Sequence, residues 1–337
     1  MKNKYRLSGI IFILIFSLSC SKKEKPVYPG LVMTTPVTEI LYATATSGGE
    51  VTYDGGGPIF TRGVCFGKNS SPTADSSITV DGSGMGPFTS YLTGLKPGTL
   101  YHLRAYAKNS AGTVYGDEVT FITQIPEIKF NTSLTYGSVT DIDGRTYKTI
   151  PVGVQVWMAE NLRTTKLNDG TVLPKIIEDA DWSNLLTSAY CWFNNNDSLY
   201  GNIYGAYYNW YAISSGKLCP DGWHVPSDVE WQQMVDYLGG NNVAGSKIKE
   251  TGKNNWVLPN GDASNNSGLT GLPAGMRGSI DGSFSGQGYY GGWWTATQTN
   301  SSLLGSAWSR WVHGDTTVIA RSEIFKKDGF GIRCIKN

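Results

Sequence analysis

Short runs of alternating apolar and polar residues fill the part of the chain from residue 31 to residue 123. The run from Tyr101 to Ala107 is typical, and clusters of Gly, Pro, Asp and Asn separate it from its neighbours. A period of two residues places alternate side chains on opposite faces of a strand, and turns at short intervals are typical of a sandwich. We therefore predict an all-β sandwich over residues 31–123, followed by a linker at residues 124–129, where Pro126 interrupts the pattern.

A helical period replaces this alternation in the second half of the chain. Ser227 and Glu230 have the spacing of a capping box, and Gly239-Gly240 ends the apolar pattern. The spacing i, i+3, i+4, i+7 predicts one buried helical stripe, formed by Trp231, Met234, Val235 and Leu238. The same spacing predicts a preceding helix that carries Tyr204, Tyr207, Tyr208 and Tyr211.

A second domain is expected to begin near Phe130 and to extend over residues 130–337. Asp143-Gly144 lies between alternating residues and predicts a β-hairpin in this part of the chain. Asp141 and Asp143 resemble the start of a calcium loop, but Arg145 stands at the next ligand position and Val152 at the twelfth. We therefore predict a hairpin here and no calcium site. For the chain as a whole, we expect neither a bound metal ion nor a cofactor.

The first 20 residues predict export. Lys2, Lys4 and Arg6 precede an apolar run that is shorter than the roughly 20 residues a bilayer crossing needs, which is typical of a signal peptide. The run ends at Cys20 in a segment that resembles a bacterial lipobox, so we predict a signal peptide over 1–19, lipidation of Cys20 and a polar tether over 20–30. The alternative is an ordinary signal peptide with an incidental cysteine. Acyl chains would anchor the protein to the outer membrane. Two alternatives remain for its orientation, towards the periplasm or towards the outside of the cell.

Charge and tryptophan content indicate which class of ligand is disfavoured and which domain is expected to carry a ligand site. Charged residues make up 16% of the chain and the net charge is +1, which provides no basic face for nucleic acid. All eleven tryptophans lie between Trp157 and Trp311. Because Trp both builds cores and stacks on flat ligands, a ligand site is expected in the second domain.

The sandwich resembles a known module. The segment from Leu95 to Gly112, with Pro97-Gly98 before a strand that starts near Tyr101, closely resembles the E to G strand region of fibronectin type III domains. The resemblance extends to Thr61–Phe66 and Val119–Phe121. It implies a spacer or a protein-binding module. Cys65 lies in an apolar strand without a neighbouring His or Lys, so we expect a buried thiol there.

The second domain resembles the Fibrobacter succinogenes major paralogous domain. The motifs that carry the resemblance occur in the expected order and are Gly153–Arg163, Tyr190–Asn195, Tyr204–Ala212, Leu218–Ser227, Gly271–Gly275, Trp293-Trp294, Ala307-Trp308 and Gly329–Cys334. The family consists of secreted and lipid-anchored bacterial proteins without an established molecular activity. The resemblance therefore implies a cellular location more than a mechanism.

The Pro-Ser segment before the capped helix and the terminal Gly-Phe-x-x-Arg strand are similar to formylglycine-generating-enzyme-type domains. This similarity implies an α+β, C-type-lectin-like fold whose chain ends pair in a central sheet. It would bring Cys219 near Cys334 for a disulfide and leave Cys191 free, although three cysteines allow other pairings. The closely spaced cysteine pair that binds copper in those enzymes is missing, and no pair of carboxylates is singled out for hydrolysis. We expect no enzymatic activity.

Binding is the function that the sequence favours. Three segments rich in amides and aromatics are expected to be loops, at residues 192–200, 253–268 and 279–294. Flat rings and planar polar groups suit a sugar, so the predicted ligand contacts are Trp192, Asn194, Asn195, Asp197, Trp256, Tyr289, Tyr290, Trp293 and Trp311. We expect a glycan-binding or adhesion lipoprotein. The alternative is a structural or protein-interaction subunit of an envelope assembly.

Overall fold

The computed structural model describes residues 25–257, 259–300 and 305–337, which form two compact units. The first unit contains the described residues of 25–40, 44–94 and 99–122, and the second contains 41–43, 95–98 and the described residues from 123 onwards. The predicted signal peptide, Cys20 and the first part of the tether lie outside the described residues. None of the helices in the described ranges has the length and apolar character that a membrane crossing requires.

Eight strands and no helix make up the first unit within the described ranges. Three of them form one antiparallel sheet in the order β1-β2-β5, and the others form a second sheet in which β4, β3, β6 and β7 are neighbours and β8 also pairs with β6. The apolar residues packed together include Val51, Ala105 and Ala107. The strands are β1 (Leu31–Thr34), β2 (Ala45–Tyr53), β3 (Thr61–Gly67), β4 (Ser77–Ile78), β5 (Gly86–Leu92), β6 (Leu100–Asn109), β7 (Gly112–Tyr115) and β8 (Val119–Ile122). The predicted β-sandwich is thus confirmed.

Two buried side chains illustrate the packing of the sandwich, and the burial of Cys65 was expected from sequence. Tyr101 is buried and its ring stacks on that of Phe121 at 5.5 Å. Cys65 is a free, buried thiol, and burial raises its pKa. A thiolate is therefore disfavoured at Cys65, which agrees with a packing role.

The second unit combines short strands with five short helices in its described residues. Its helices are α1 (Asp179–Asn184), α2 (Asp197–Tyr204), α3 (Trp210–Ile213), α4 (Asp228–Tyr237) and α5 (Asn241–Ile248), with a 3₁₀ turn at Phe193–Asn195. Its strands are β9 (Gly137–Thr140), β10 (Thr146–Val152), β11 (Gln155–Met158), β12 (Tyr190–Cys191), β13 (Tyr207–Tyr208), β14 (Trp223–His224), β15 (Met276–Arg277), β16 (Phe284–Ser285), β17 (Tyr290–Gln298), β18 (Ser306–His313), β19 (Ile319–Phe325) and β20 (Ile335–Lys336).

The last strand of the chain lies inside a sheet. The strand order is β14-β20-β11-β10-β9, and Ile335 of β20 pairs with Trp157 on one side and with His224 on the other. This position brings Cys334 beside the segment that leads into β14. The predicted disulfide between Cys219 and Cys334 is present, and Cys191 is free and buried. A second sheet has the order β17-β18-β19.

Helix α4 follows the sequence pattern closely. The Ser227 side chain accepts from the Glu230 N–H, and the Glu230 carboxylate accepts from the Ser227 N–H, which completes the capping box. Trp231, Met234 and Val235 are buried. The predicted cap and stripe are confirmed, because both depend only on residues close together in sequence.

The helix predicted across Tyr204 to Tyr211 was wrong. Helix α2 ends at Tyr204, since Gly205 adopts a φ of +74° that few other residues tolerate, and a Cβ there would lie 2.5 Å from the Asn161 side chain. Tyr207 and Tyr208 instead form strand β13, which pairs with β12. Three of the four tyrosines are fully buried, but their burial comes from neighbours far apart in sequence.

The hairpin predicted at Asp143-Gly144 joins β9 to β10, and Thr140 pairs with Thr146. The loop is therefore longer than the two residues that the Asp-Gly signal suggests. Asp143 turns back into the protein, where its carboxylate accepts from the Thr165 N–H at 2.6 Å and lies 3.2 Å from the Lys166 ammonium. These donors occupy the oxygens of Asp143 and hold the pKa of that carboxyl at about 2, against the opposing effect of burial.

Candidate functional site

The three segments predicted as loops meet around helix α2. The Tyr204 hydroxyl lies 3.4 Å from the Asn255 side-chain oxygen of the second segment and accepts from the Gln287 amide of the third at 2.7 Å. Phe193 of the first segment contacts Phe284 of the third, with ring centroids 5.5 Å apart. Residues as far apart in sequence as Phe193 and Phe284 are thus brought together. Regular structure interrupts two of the segments, since α2 begins at Asp197 and β17 begins at Tyr290.

The four tryptophans proposed as ligand contacts are core residues, which corrects the expectation from sequence. Trp192, Trp256, Trp293 and Trp311 are 4%, 0%, 1% and 9% exposed. Rings that are at most 9% exposed offer no open face on which a ligand could stack. Burial in two packed clusters, together with the other large rings, explains why these residues are tryptophan.

Trp293 shows what these rings do instead. Its ring stacks on Trp231 at 5.8 Å, and its indole N–H donates to the Asn161 side-chain oxygen at 2.8 Å. The same Asn161 oxygen accepts from Arg333, whose guanidinium also donates to the backbone carbonyls of Met158, Leu269 and Thr270. Burial lowers the pKa of Arg333 to about 9. The terminal Gly-Phe-x-x-Arg motif is therefore part of the core.

The polar candidates of the first segment lie at the surface, and two of them shape the backbone. Asn194 and Asn195 have φ values of 47° and 55°, a left-handed conformation that Asn tolerates better than most residues. The Asn195 amide donates to the Ile177 carbonyl at 2.9 Å. Asp197 stands in the first turn of α2, where a negative charge favours the helix. Asn196 caps this helix, a role that the sequence analysis missed.

An exposed aromatic patch remains at the start of β17, formed by Tyr289, Tyr290 and His313. Tyr289 is 45% exposed, and Tyr290 is half-buried between the rings of Trp311 at 5.1 Å and His313 at 5.5 Å. The Tyr290 hydroxyl lies 3.2 Å from the Ser285 hydroxyl, and burial raises the pKa of Tyr290. This patch retains part of the predicted ligand surface.

A groove of about 490 Å³ opens elsewhere on the second unit, and the sequence analysis did not predict it. Its lining is mainly apolar and includes Leu186, Tyr211, Ile280 and Phe325, with Ser279 and Lys327 as polar members. These residues come from four separate segments of the chain. No periodicity marks them, so only the tertiary structure reveals the groove.

Polar contacts fix one wall of this groove. The Ser279 N–H donates to the buried Asp328 carboxylate at 2.6 Å, and burial raises the pKa of Asp328. The Lys327 ammonium donates to the Ser183 carbonyl at 3.2 Å. Ile280 therefore projects from an anchored turn, at 90% exposure. Among the residues that the structure describes, no three His, Cys, Asp or Glu side chains gather to hold a metal ion.

The architecture defines the class of the first unit. The sheets β1-β2-β5 and β4-β3-β6-β7 have the arrangement of a fibronectin type III-like sandwich. The model of the Fibrobacter succinogenes major domain matches residues 150–336, and the chain belongs to this family. A comparison with curated proteins finds no match.

Solved structures resemble part of the chain at low identity. The sensor domain of the anti-sigma factor RsgI4 from Pseudobacteroides cellulosolvens is 21% identical over 29% of this chain and 98% of that one, with a TM-score of 0.23. A human fibronectin type III domain from the KIAA0970 protein is 14% identical over 28% of this chain and 72% of that one, with a TM-score of 0.22. A computer-redesigned β-sandwich protein is 25% identical over 29% of this chain and 97% of that one, with a TM-score of 0.21.

Proposed function

We propose that this protein is a non-catalytic binding module of the bacterial cell envelope, anchored through a lipidated Cys20, and that it binds a protein partner through the groove at Ile280. The signal-like leader and the family membership support the envelope location. The sandwich would then act as a spacer between the anchor and the second unit. Labelling with a radioactive fatty acid tests the anchor, because a Cys20→Ser variant should lose the label and a Cys65→Ser variant should keep it.

We also propose a C-type-lectin-like fold for the second unit. The insertion of β20 between β11 and β14, the capped helix α4 and the long irregular segments around α2 support it. In such a fold the irregular segments carry the binding surface. An experimental structure of the second unit, compared with lectin-like domains over its whole length, would test this assignment.

The exposed apolar lining of the groove carries the proposal of a protein partner. Leu186, Ile280 and Phe325 are large, apolar and substantially exposed, and they surround one depression. Exposed apolar groups gathered in one place mark interaction surfaces, whereas isolated ones are common on any protein. Aliphatic side chains suit a partner's apolar residues better than the hydroxyls of a sugar.

Site-specific photocrosslinking in cells tests this surface. A photoreactive amino acid at position 280 should give one defined adduct with an envelope protein, and the adduct should disappear when Phe325→Ser is added. The same amino acid at position 154 is the control, because Val154 is fully exposed and does not line this groove. Recovery of the uncrosslinked monomer alone from position 280 would refute the proposal.

Glycan binding at the aromatic patch is the second candidate. The specific observation that favours it is the exposed ring of Tyr289, which precedes Tyr290 in the chain, and the Tyr290 ring packs against that of His313. Because Trp311 lies against Tyr290, a sugar bound at the patch should change tryptophan emission. We expect Tyr289→Ala to abolish that change and Tyr237→Ala, an exposed tyrosine on α4, to leave it intact. Unchanged emission with a broad glycan panel would refute this candidate.

A further inference from the structure

The side-chain ammonium of Lys249 lies in a cage of oxygen atoms. Its three N–H groups are shared among four oxygens, the Asp262 carboxylate at 3.0 Å and the backbone carbonyls of Thr316 at 2.8 Å, His313 at 3.0 Å and Gly314 at 3.4 Å. The Lys249 side chain is completely buried, whereas the Asp262 side chain is 30% exposed. The Trp256 ring closes another side, with its centroid 5.8 Å from the ammonium nitrogen.

The cage joins three segments that are distant in sequence. Lys249 follows the last turn of α5, and Asp262 lies in the segment predicted as the second loop. The carbonyls come from the last residue of β18 and from the turn that follows it. Three carbonyl dipoles directed at one buried point would repel each other without a positive charge between them. The ammonium therefore holds this turn and the second loop segment against α5.

The donor set is one that a hard cation prefers, since it consists of a carboxylate and backbone carbonyls. The distances of 2.8–3.4 Å from the centre are longer than the about 2.3–2.6 Å that Ca²⁺ requires and the about 2.0–2.1 Å that Mg²⁺ requires. A larger monovalent cation fits such a cage. Ammonium and alkylammonium ions fit it best, because they reproduce both the charge and the hydrogen bonds of the lysine head group.

We propose that this cage is a monovalent-cation site that the chain fills with its own Lys249 ammonium, and that removing this group leaves a site for ammonium, alkylammonium and potassium ions. This site is independent of the proposed function. Because the ammonium already fills the cage, the second unit should need no divalent metal to hold the turn at residues 313–318. The thermal midpoint of the unmodified protein should thus be the same in EDTA and in Ca²⁺.

Chemical rescue of Lys249→Ala tests the proposal. The variant should unfold about 6–20 °C below the unmodified protein, the range expected for leaving a buried ionic group unpaired in a unit of this size. Propylammonium chloride should fill the space of the missing side chain and restore about half or more of the loss with a saturable dose response. Ammonium and potassium chloride should restore part of it, and tetramethylammonium chloride at equal ionic strength should restore none.

Lys247→Ala is the matched control, because Lys247 lies two residues earlier and donates to a single carbonyl, that of Leu238. Its thermal midpoint should respond equally to all four salts. Equal effects of the four salts on Lys249→Ala would overturn the proposal.

If Lys249→Ala does not fold, NMR of the full-length protein labelled with ¹⁵N-lysine decides the question. A caged ammonium should give a NH₃⁺ signal that persists at neutral pH, and Lys249→Arg should remove it. A spectrum without a persistent signal would also overturn the proposal.

Discussion

Glu250 provides a sharp test of the electrostatics in the second unit. Its carboxylate is buried and accepts from the Lys129 backbone N–H at 2.7 Å and from the Asn255 side-chain amide at 3.0 and 3.1 Å. No cation is among these donors. Burial raises the pKa of Glu250 from 4.5 to about 7, against the opposing effect of these hydrogen bonds. The folded protein therefore holds this proton more tightly than the unfolded chain does.

The sign of the pH dependence follows from this difference. Between pH 4.5 and about 7 the unfolded chain releases the Glu250 proton first, so the free energy of unfolding falls as pH rises. The full loss is about 3 kcal/mol, from about 2.5 pH units at about 1.36 kcal/mol each. Stability from this group is thus greatest below pH 4.5 and is lost by about pH 7.

Urea unfolding at pH 5, 6, 7 and 8, followed by tryptophan fluorescence, measures the effect. All eleven tryptophans lie in the second unit, so the signal reports on that unit. Glu250→Gln should remove most of the decline seen between pH 5 and 8, while Glu178→Gln, a change at an exposed position, should leave the decline intact. Parallel profiles for the unmodified protein and Glu250→Gln would refute the reasoning.

Three further predictions concern the packing of the second unit. Replacing Cys219 and Cys334 together by serine should lower the free energy of unfolding by about 4–5 kcal/mol, because their disulfide closes a loop of 115 residues. In urea melts, the unmodified protein in reductant should be as stable as this variant. Trp293→Ala should lower the free energy of unfolding by about 3–5 kcal/mol, because a large buried side chain is removed from the core. Removal of a ring that only contacts a ligand at the surface would not have this effect, so a loss under about 1 kcal/mol would contradict the burial of Trp293. Ser227→Ala should cost about 1 kcal/mol through the lost cap, and Ser227→Asp should recover most of it.

Features that depend on neighbouring residues were predictable from the sequence. The capping box at Ser227 spans three positions and the stripe of α4 spans seven, so local pattern was sufficient. The sandwich was predictable for the same reason, because alternation and turn residues recur along its whole length. The tyrosine spacing wrongly predicted a helix from Tyr204 to Tyr211. Gly205 ends α2 after Tyr204, and residues distant in sequence bury the tyrosine rings.

The candidate site was less predictable, because exposure is a property of the whole fold. Trp192 and Trp256 occur among asparagines and glycines, a composition typical of surface loops, yet both rings are buried. The groove at Ile280 shows the opposite case, in which a single apolar residue in a polar segment stays at the surface. Side-chain type alone therefore does not predict which of these residues is buried and which is exposed.

The sequence by itself determined the family, the sandwich, the capped helix and the confinement of tryptophan to the second unit. Each of these can be identified from residue types and their positions along the chain. Only the tertiary structure decided which tryptophans are covered, where the apolar groove opens and what surrounds Lys249. Those features depend on segments more than 60 residues apart, as Lys249 and the His313 carbonyl illustrate, and their meeting follows from the packing of the entire unit.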